Sequence, residues 1–406
     1  MSDRTFRIGP IRPPSEANSL LIQVTNGCTW NKCRFCQLYR HTKFKAYSAD
    51  SIRADIDNIA YWAERVRKYE RKGNTAGGTA FAWDLEGINA ELSNMLDADE
   101  RQCMYTVANW LVSGGENVFL QDGNSTALSS GRLTDVLVYL RQVFPQIKRI
   151  TSYGRAENLS RSTAEDFAEL KAAGLDRIHS GFETGSDAVL QRINKGVTQE
   201  QQIRAGRAIK AGGIELSIYF MPGVGGKDLS VDNAKGTAEV IRAVNPDFVR
   251  VRTAAIKPGT ELYQDWQDGL FALCSDDDKV REIRQVIELA GTDVDLPETD
   301  ADAGQGTSKL TTYLVSDHMI NLLQNVEGSI GTDDRTRMLQ RIDEYLDLPE
   351  ADRRVFQLLR RTLRAYDLRD MERLGEAERD RLRTEVMKES ELGWTVRMNG
   401  YICRYV

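Results

Sequence analysis

Little in this sequence commits it to a membrane, a secretory route or a disulfide framework. Its 406 residues are 41% hydrophobic. No apolar run reaches the about 18 residues that a transmembrane helix needs, so none is expected. The opening stretch from Met1 to Arg7 carries charge and no apolar core, so a secretory signal is not expected and a cytoplasmic location is. Cysteine is scarce: six in the whole chain are too few for a disulfide scaffold. The net charge of -6 gives no broad electrostatic reason to bind nucleic acid or an anionic membrane, leaving only a local basic groove as a route. Internal repeats and low-complexity tracts are also missing.

What is present is alternation. Short β-branched or aromatic runs at Leu20–Val24, Asn117–Gln121, Arg149–Tyr153, Arg177–Phe182, Ile214–Phe220 and Phe248–Arg252 predict strands. Amphipathic stretches between them predict helices, among them Ala49–Lys72, Leu133–Phe144, Gln199–Ala211 and Val231–Val244. Ser162-Thr-Ala-Glu165 has the pattern of a capping box. Repeated strand–helix–strand units mean parallel pairing. The expected fold is α/β: an open, partial (βα)6 TIM-like barrel with a helical C-terminal region, a doubly wound sheet being the alternative. Residues 1–17 read as an extension and 18–265 as the barrel, with a helical insertion over 73–116. Within the insertion, Gly73–Thr79 reads as a loop, and Ile88–Leu96 and Glu100–Val112 as helices. Residues 266–406 read as helices capping the barrel, including Lys279–Ala290, Lys309–Val326, Asp333–Leu346, Asp352–Ala365 and Glu376–Lys388.

The six cysteines are not spread evenly. Cys28, Cys33 and Cys36 lie within nine residues, directly after the first strand, where barrel enzymes build their sites. Cys103, Cys274 and Cys403 are scattered and read as inert buried thiols. Three thiolates and no local fourth ligand suit an iron–sulfur cube with one open iron better than a closed zinc site, which takes four ligands. The competing interpretations are a zinc site completed by His41 and three incidental cysteines. Gly27 gives the backbone freedom to wrap a cluster, and Trp30 and Phe35 could shield it or stack on a ligand.

On these residues the chain resembles the radical S-adenosylmethionine (radical SAM) enzymes, over residues 18–263. The branch is the one whose core is shared by Elongator-type, methylthiotransferase and coproporphyrinogen-dehydrogenase proteins. The family spaces its cysteines by three residues and then two. Here Thr29 to Lys32 make the first gap four, while Cys33-Arg-Phe-Cys36 fits. The resemblance implies a [4Fe-4S] cluster on Cys28, Cys33 and Cys36, with SAM chelating the open iron. It further implies a 5′-deoxyadenosyl radical that takes hydrogen from a substrate.

The same resemblance implies SAM contacts. Ser113-Gly-Gly-Glu116 spells a family SAM motif but precedes the second strand instead of following it, so it reads as a turn. Gln121, Asp122, Gly123 and Asn124 then stand at the strand end where the SAM amine is held. Glu183, in the run Ile178-His-Ser-Gly-Phe-Glu183, takes the place of a SAM-contacting glutamate at the fourth strand end. Arg155 is a candidate for the SAM carboxylate, Met221 for the adenine wall, and Arg252 for a SAM or substrate carboxylate. His179 reads as a hydrogen-bonded core histidine, and His318 as a helical residue with no assigned role.

Further absences narrow the expectation. A second cysteine cluster is missing, so an auxiliary iron–sulfur centre is not expected, and about 20 residues before the first strand are too few for a cobalamin domain. The basic module of a tRNA modifier is not evident. The expected partners are a small-molecule substrate and an electron donor of flavodoxin or ferredoxin type, with nucleic acid disfavoured and no membrane. A non-catalytic iron–sulfur or zinc protein is the alternative.

Overall fold

The computed structural model describes residues 4–75, 78–291, 310–365 and 367–404. Its strands in chain order are β1 (Leu20–Gln23), β2 (Thr25–Asn26), β3 (Lys45–Ala46), β4 (Glu70–Thr75), β5 (Gly78–Trp83), β6 (Asn117–Gln121), β7 (Arg149–Tyr153), β8 (Arg177–Glu183), β9 (Glu215–Phe220), β10 (Phe248–Val251), β11 (Tyr313–Val315) and β12 (Gly328–Ser329). The main sheet has the order β1-β6-β7-β8-β9-β10-β11-β12. Pairing is parallel from β1 through β11 and antiparallel only at β12. All six expected strands are there in sequential order, so the open α/β barrel stands. Two more strands extend it.

The strands are buried on both faces for a reason. All seven residues of β8 are buried, as a parallel strand must be when helices cover its outer face and the barrel fills its inner one. Ile22, Leu120, Ile150, Ile178, Leu216 and Val249 belong to one apolar cluster shared with the surrounding helices. Helix starts are chemically marked. Thr163 with Asp166, Thr198 with Gln201 and Ser275 with Asp278 form reciprocal capping boxes. The first of these lies one residue later than the predicted Ser162–Glu165 box.

Three expectations change. Of the predicted loop Gly73–Thr79, residues 73–75 and 78–79 lie in strands, β4 and β5 pairing antiparallel from Glu70↔Trp83 to Thr75↔Gly78, while 76 and 77 lie outside the described residues. The predicted helix Lys309–Val326 does not form, and Lys309 itself lies outside the described residues. Instead Tyr313–Val315 pairs parallel with β10, because Thr311 to Val315 is β-branched and aromatic and the edge of β10 offers unpaired backbone groups. His318 therefore sits in a turn, not on a helix. A further helix, Glu391–Cys403, closes the C-terminal region, where Asn399 Nδ2 donates to the Ile256 carbonyl (2.9 Å) and so ties it to the chain just past β10.

The far end of the barrel is plugged. Glu16, in a short turn of helix, accepts from Ser19 Oγ (2.5 Å) and faces His179 Nε2 at 3.3 Å, both groups being fully buried. Burial holds His179 down to about 4, so it is the neutral core histidine the sequence suggested.

Candidate functional site

The cysteine loop leaves β1 and β2 at the mouth of the barrel, and its shape is fixed by neighbours. Gly27 has φ +84°, a region closed to most side chains. Trp30 Nε1 donates to the Asn194 carbonyl (2.7 Å), and Asn194 Nδ2 donates back to the Lys32 carbonyl (3.0 Å). Arg34 N donates to the Ile193 carbonyl (2.9 Å), and the Arg34 guanidinium pairs with Asp265 (2.6 Å). The wide Cys28–Cys33 gap is thereby explained. Its extra residue lets Asn31 turn back with φ +52°, while the Trp30 ring lies on Gly196, where a Cβ would stand 2.5 Å from the indole.

The three cysteines are free thiols, each partly exposed. Among the described residues no three His, Cys, Asp or Glu side chains are gathered at metal-binding distance, so the thiols are neighbours and not a closed cage. Burial pushes the Cys33 thiol up; Lys195 and Arg155 pull it down. Burial likewise raises Cys36, with Lys195 again opposing. His41, the alternative fourth ligand, is exposed.

Glu183, the last residue of β8, is close enough to Cys36 to act on its thiol. A register shift between Gly181 and Glu183 and a φ of +64° aim its carboxylate inward. Lys195 Nζ donates to Glu183 Oε1 at 2.8 Å, with side chains only 11% and 9% exposed. Burial works against the Lys195 charge, but Glu183 and Cys33 raise its pKa overall. The Lys195 ammonium also lies 5.8 Å from the centre of the Phe35 ring. Gly181 leaves the room this needs: a Cβ there would stand 2.3 Å from Glu183 Oε1 and 2.5 Å from the Tyr153 hydroxyl. Lys195 and Tyr153 are the two residues of this wall that sequence reasoning passed over. The only signal for Lys195 is its place between Asn194 and Gly196, both at positive φ, in a turn that swings its side chain inward.

Residues 97–231 match the Radical SAM superfamily model. The chain carries a radical SAM domain. The matched span holds β6 to β9 with Glu183 and Lys195, and ends before β10; the cysteine loop precedes it. The tRNA uridine(34) acetyltransferase of Methanocaldococcus jannaschii is 30% identical over 111 residues, 26% of this chain and 20% of that protein. The chain thus matches about a fifth of that relative's length. The heme chaperone HemW of Bacillus subtilis is 23% identical over 258 residues, 62% of this chain and 67% of that one. Among solved structures, the Kitasatospora setae methyltransferase TsrM with cobalamin and a [4Fe-4S] cluster is 13% identical, covering 92% of this chain and 61% of that one at a TM-score of 0.41.

Radical SAM enzymes use a [4Fe-4S] cluster and SAM, and the donor set here fits them. Three free thiols with two cations beside them and no fourth ligand suit a cluster with one open iron, and a four-ligand zinc site is the poorer match. The remaining expected site residues of the radical SAM domain divide into two groups. Arg155 is buried against the cysteine loop. Its Nη2 donates to the Lys195 carbonyl (3.0 Å), and its guanidinium lies 5.5 Å from the Trp30 ring centre. Phe35 and Met221 pack on a second apolar cluster that includes Val189, Val224 and Ile256. These three line the cysteine side of the mouth.

Gln121 to Asn124 are occupied by protein partners. The Gln121 amide holds Gly9 (2.8 and 2.9 Å) and the Ile11 carbonyl. Asp122 accepts from the Tyr39 hydroxyl. Gly123 is pressed against Tyr39 and the Gly27 carbonyl, where a Cβ would stand 2.8 and 3.0 Å away. Asn124 ties its own turn to the cysteine loop and to the short helix Ala156–Leu159 with its cap Arg155: Nδ2 donates to Thr29 Oγ1 (2.9 Å) and Asn158 Oδ1 (2.6 Å), and Oδ1 accepts from Arg155 N and Thr126 Oγ1 (both 3.1 Å). Arg252 stands apart from both groups and pairs with Asp317 (3.0 Å) just past β10. The Gly-Gly-Glu motif is a turn, as expected. Gly114 and Gly115 have φ +109° and +67°, and Glu116 pairs with Lys148 (2.7 Å) at the opposite end of β6 from the mouth.

Proposed function

We propose that this radical SAM enzyme holds a single [4Fe-4S] cluster on Cys28, Cys33 and Cys36 and acts on a small-molecule substrate inside the barrel. The observation that carries this is the buried Glu183–Lys195 pair, whose charges act on the Cys33 and Cys36 thiols. A carboxylate and an ammonium held together, in a site lined by Phe35, Met221 and Tyr153, match the ammonium and carboxylate of an amino acid moiety such as that of SAM. The cluster, when bound, supplies the electron that cleaves SAM to a 5′-deoxyadenosyl radical. The protein's part is positional. Glu183 and Lys195 orient the amino acid end, Arg155 adds a second cation beside the thiols, and the apolar wall keeps water away from a reactive centre.

The preference for a small molecule rests on charge. The arginines of the C-terminal region are largely neutralised in pairs: Arg284 with Asp343, Arg353 with Asp277, Arg361 with Asp276 and Arg383 with Asp352. Such pairs leave little open basic surface for a phosphate backbone. The electron comes from a flavodoxin- or ferredoxin-type donor.

The test is anaerobic reconstitution with iron and sulfide, then dithionite and SAM. Formation of 5′-deoxyadenosine supports the proposal. A cluster that forms without SAM cleavage would instead mark an iron–sulfur carrier, and stable zinc in place of iron a zinc module. Adding tRNA or heme separates this proposal from the roles named for the two relatives. Stimulation of cleavage by tRNA would overturn the small-molecule substrate.

A further inference from the structure

One cationic group at the mouth takes no part in the thiol wall. Arg250 and Arg252 alternate along the end of β10 and therefore point to the same, inner side. Arg250 is 5% exposed; its Nε donates to Ser217 Oγ (3.1 Å) and its Nη1 to Asp317 Oδ2 (2.9 Å). Arg252 Nη1 donates to Asp317 Oδ1 (3.0 Å) and to the Val251 carbonyl (2.8 Å). The other terminal nitrogen of Arg252, Nη2, is buried and has no hydrogen-bond partner among the described residues. Among the described residues the two guanidinium groups share one carboxylate, which leaves one positive charge over. A buried charged donor without a partner costs more than a neutral one, and such a cost persists where a ligand offsets it.

Among the described residues, Asp317 is the carboxylate that pairs with Arg250 and Arg252. The Arg252 guanidinium lies 5.1 Å from the centre of the Tyr219 ring. Burial pushes the Tyr219 phenol up to about 12, so it stays neutral. His318, next to Asp317, is held down to about 4 by burial and by Arg252, so it too is neutral. Its Nδ1 accepts from Ile320 N (3.2 Å), which leaves the proton on Nε2 as a free donor. The turn that carries Asp317 and His318 is fastened over β10 by Asn321. The Asn321 Nδ2 donates to the Val251 carbonyl (2.9 Å), and its Oδ1 accepts from Thr253 N (3.1 Å). Tyr219 stacks on Tyr153 at 6.3 Å, and Tyr153 in turn borders Glu183. The two tyrosines thus stand between this cationic corner and the Glu183–Lys195 pair.

We infer that Arg252, backed by Arg250 and Asp317, is an anion subsite that anchors a carboxylate or phosphate of the substrate at the end of β10. As a substrate anchor it rests on the function proposed above; as an anion site it does not. The anionic end of the substrate lies on Arg252, and the reacting end extends past Tyr219 and Tyr153 toward the thiol wall.

Calorimetry on the reconstituted holoenzyme tests this with two probes, succinate and inorganic phosphate, each titrated with and without saturating SAM. The expected result is binding of at least one probe, not displaced by SAM, and weakened about tenfold or more by Arg252→Gln, a loss of roughly 1.4 kcal/mol. Which probe binds more tightly separates carboxylate from phosphate. Asp317→Asn removes the competing carboxylate and should tighten the same probe, a gain that misfolding cannot mimic. Probe affinity equal in wild type and both variants would overturn the subsite. So would competition between probe and SAM, or a loss of SAM affinity in Arg252→Gln, since either places Arg252 in the SAM pocket. If the probes bind through Arg252 but no 5′-deoxyadenosine forms, the anion site stands and the enzyme proposal falls.

Discussion

Replacing Lys195 with Met should destabilise the protein by about 3–5 kcal/mol, the usual result of stranding one partner of a buried ion pair. The geometry sets the scale. Nζ and Oε1 are 2.8 Å apart, and the two side chains are 11% and 9% exposed. At an effective dielectric of about 20, that separation corresponds to a direct attraction of about 6 kcal/mol, part of which offsets the cost of drying both groups. Lys195→Met leaves the Glu183 carboxylate with no cation at hydrogen-bond distance. Glu183→Gln strands the ammonium instead and should cost a comparable amount. The double variant buries two neutral groups and should cost clearly less than the sum, with a coupling energy of about 2–4 kcal/mol. Urea denaturation of the four proteins measures this. A Lys195→Met cost under about 1 kcal/mol, or additive single variants, would show that the pair is solvated and would remove the physical basis for a preformed amino acid site.

Gly181→Ala should drive Glu183 from its position, because the new methyl meets its Oε1 at 2.3 Å and the Tyr153 hydroxyl at 2.5 Å. SAM affinity should fall about tenfold or more with the cluster's visible absorbance retained, and unchanged affinity would remove Glu183 from the site. Asn124→Ala removes hydrogen bonds to Thr29, Asn158, Arg155 and Thr126, and should cost about 2–4 kcal/mol in urea denaturation, since each buried partner left unpaired costs about 1 kcal/mol or more. Glu282 accepts from Gly223 N (2.8 Å) and Asn233 Nδ2 (2.9 Å), and burial raises its carboxyl from 4.5 to about 7. A raised carboxyl binds its proton more tightly in the folded state. Its contribution to stability is therefore full below pH 4.5 and is lost as pH rises toward 7, by about 3 kcal/mol in all. Glu282→Gln should remove that slope, and parallel stability–pH curves for wild type and variant would refute it.

Local pattern and distant partnership explain what could be read from the chain. Val118, Phe119 and Leu120 form a strand wherever the chain places them, since a short β-branched and aromatic run has few other options. Lys309–Val326 misled because its apolar spacing also fits a helix. Only the open edge of β10 turns Tyr313–Val315 into a strand. Gly73–Thr79 reads as a loop from its glycines, and antiparallel pairing puts residues 73–75 and 78–79 in strands. The same division runs through the site. Cys28, Cys33 and Cys36 are recognisable because their spacing is itself the chemistry. Gln121 and Asn124 were legible as strand-end polar residues, but their partners, Gly9, Ile11, Thr29 and Asn158, lie too far along the chain to be paired by inspection.

The sequence by itself determined the parallel α/β order, the three-thiol loop after the first strand, and a carboxylate at the end of the fourth expected strand. Each of these is written in contiguous residues. Only the tertiary structure decided that Lys195 meets Glu183 and that Asp317 leaves Arg252 one donor free. A buried charge is defined by what surrounds it, and those surroundings are assembled from segments 12 to 65 residues apart.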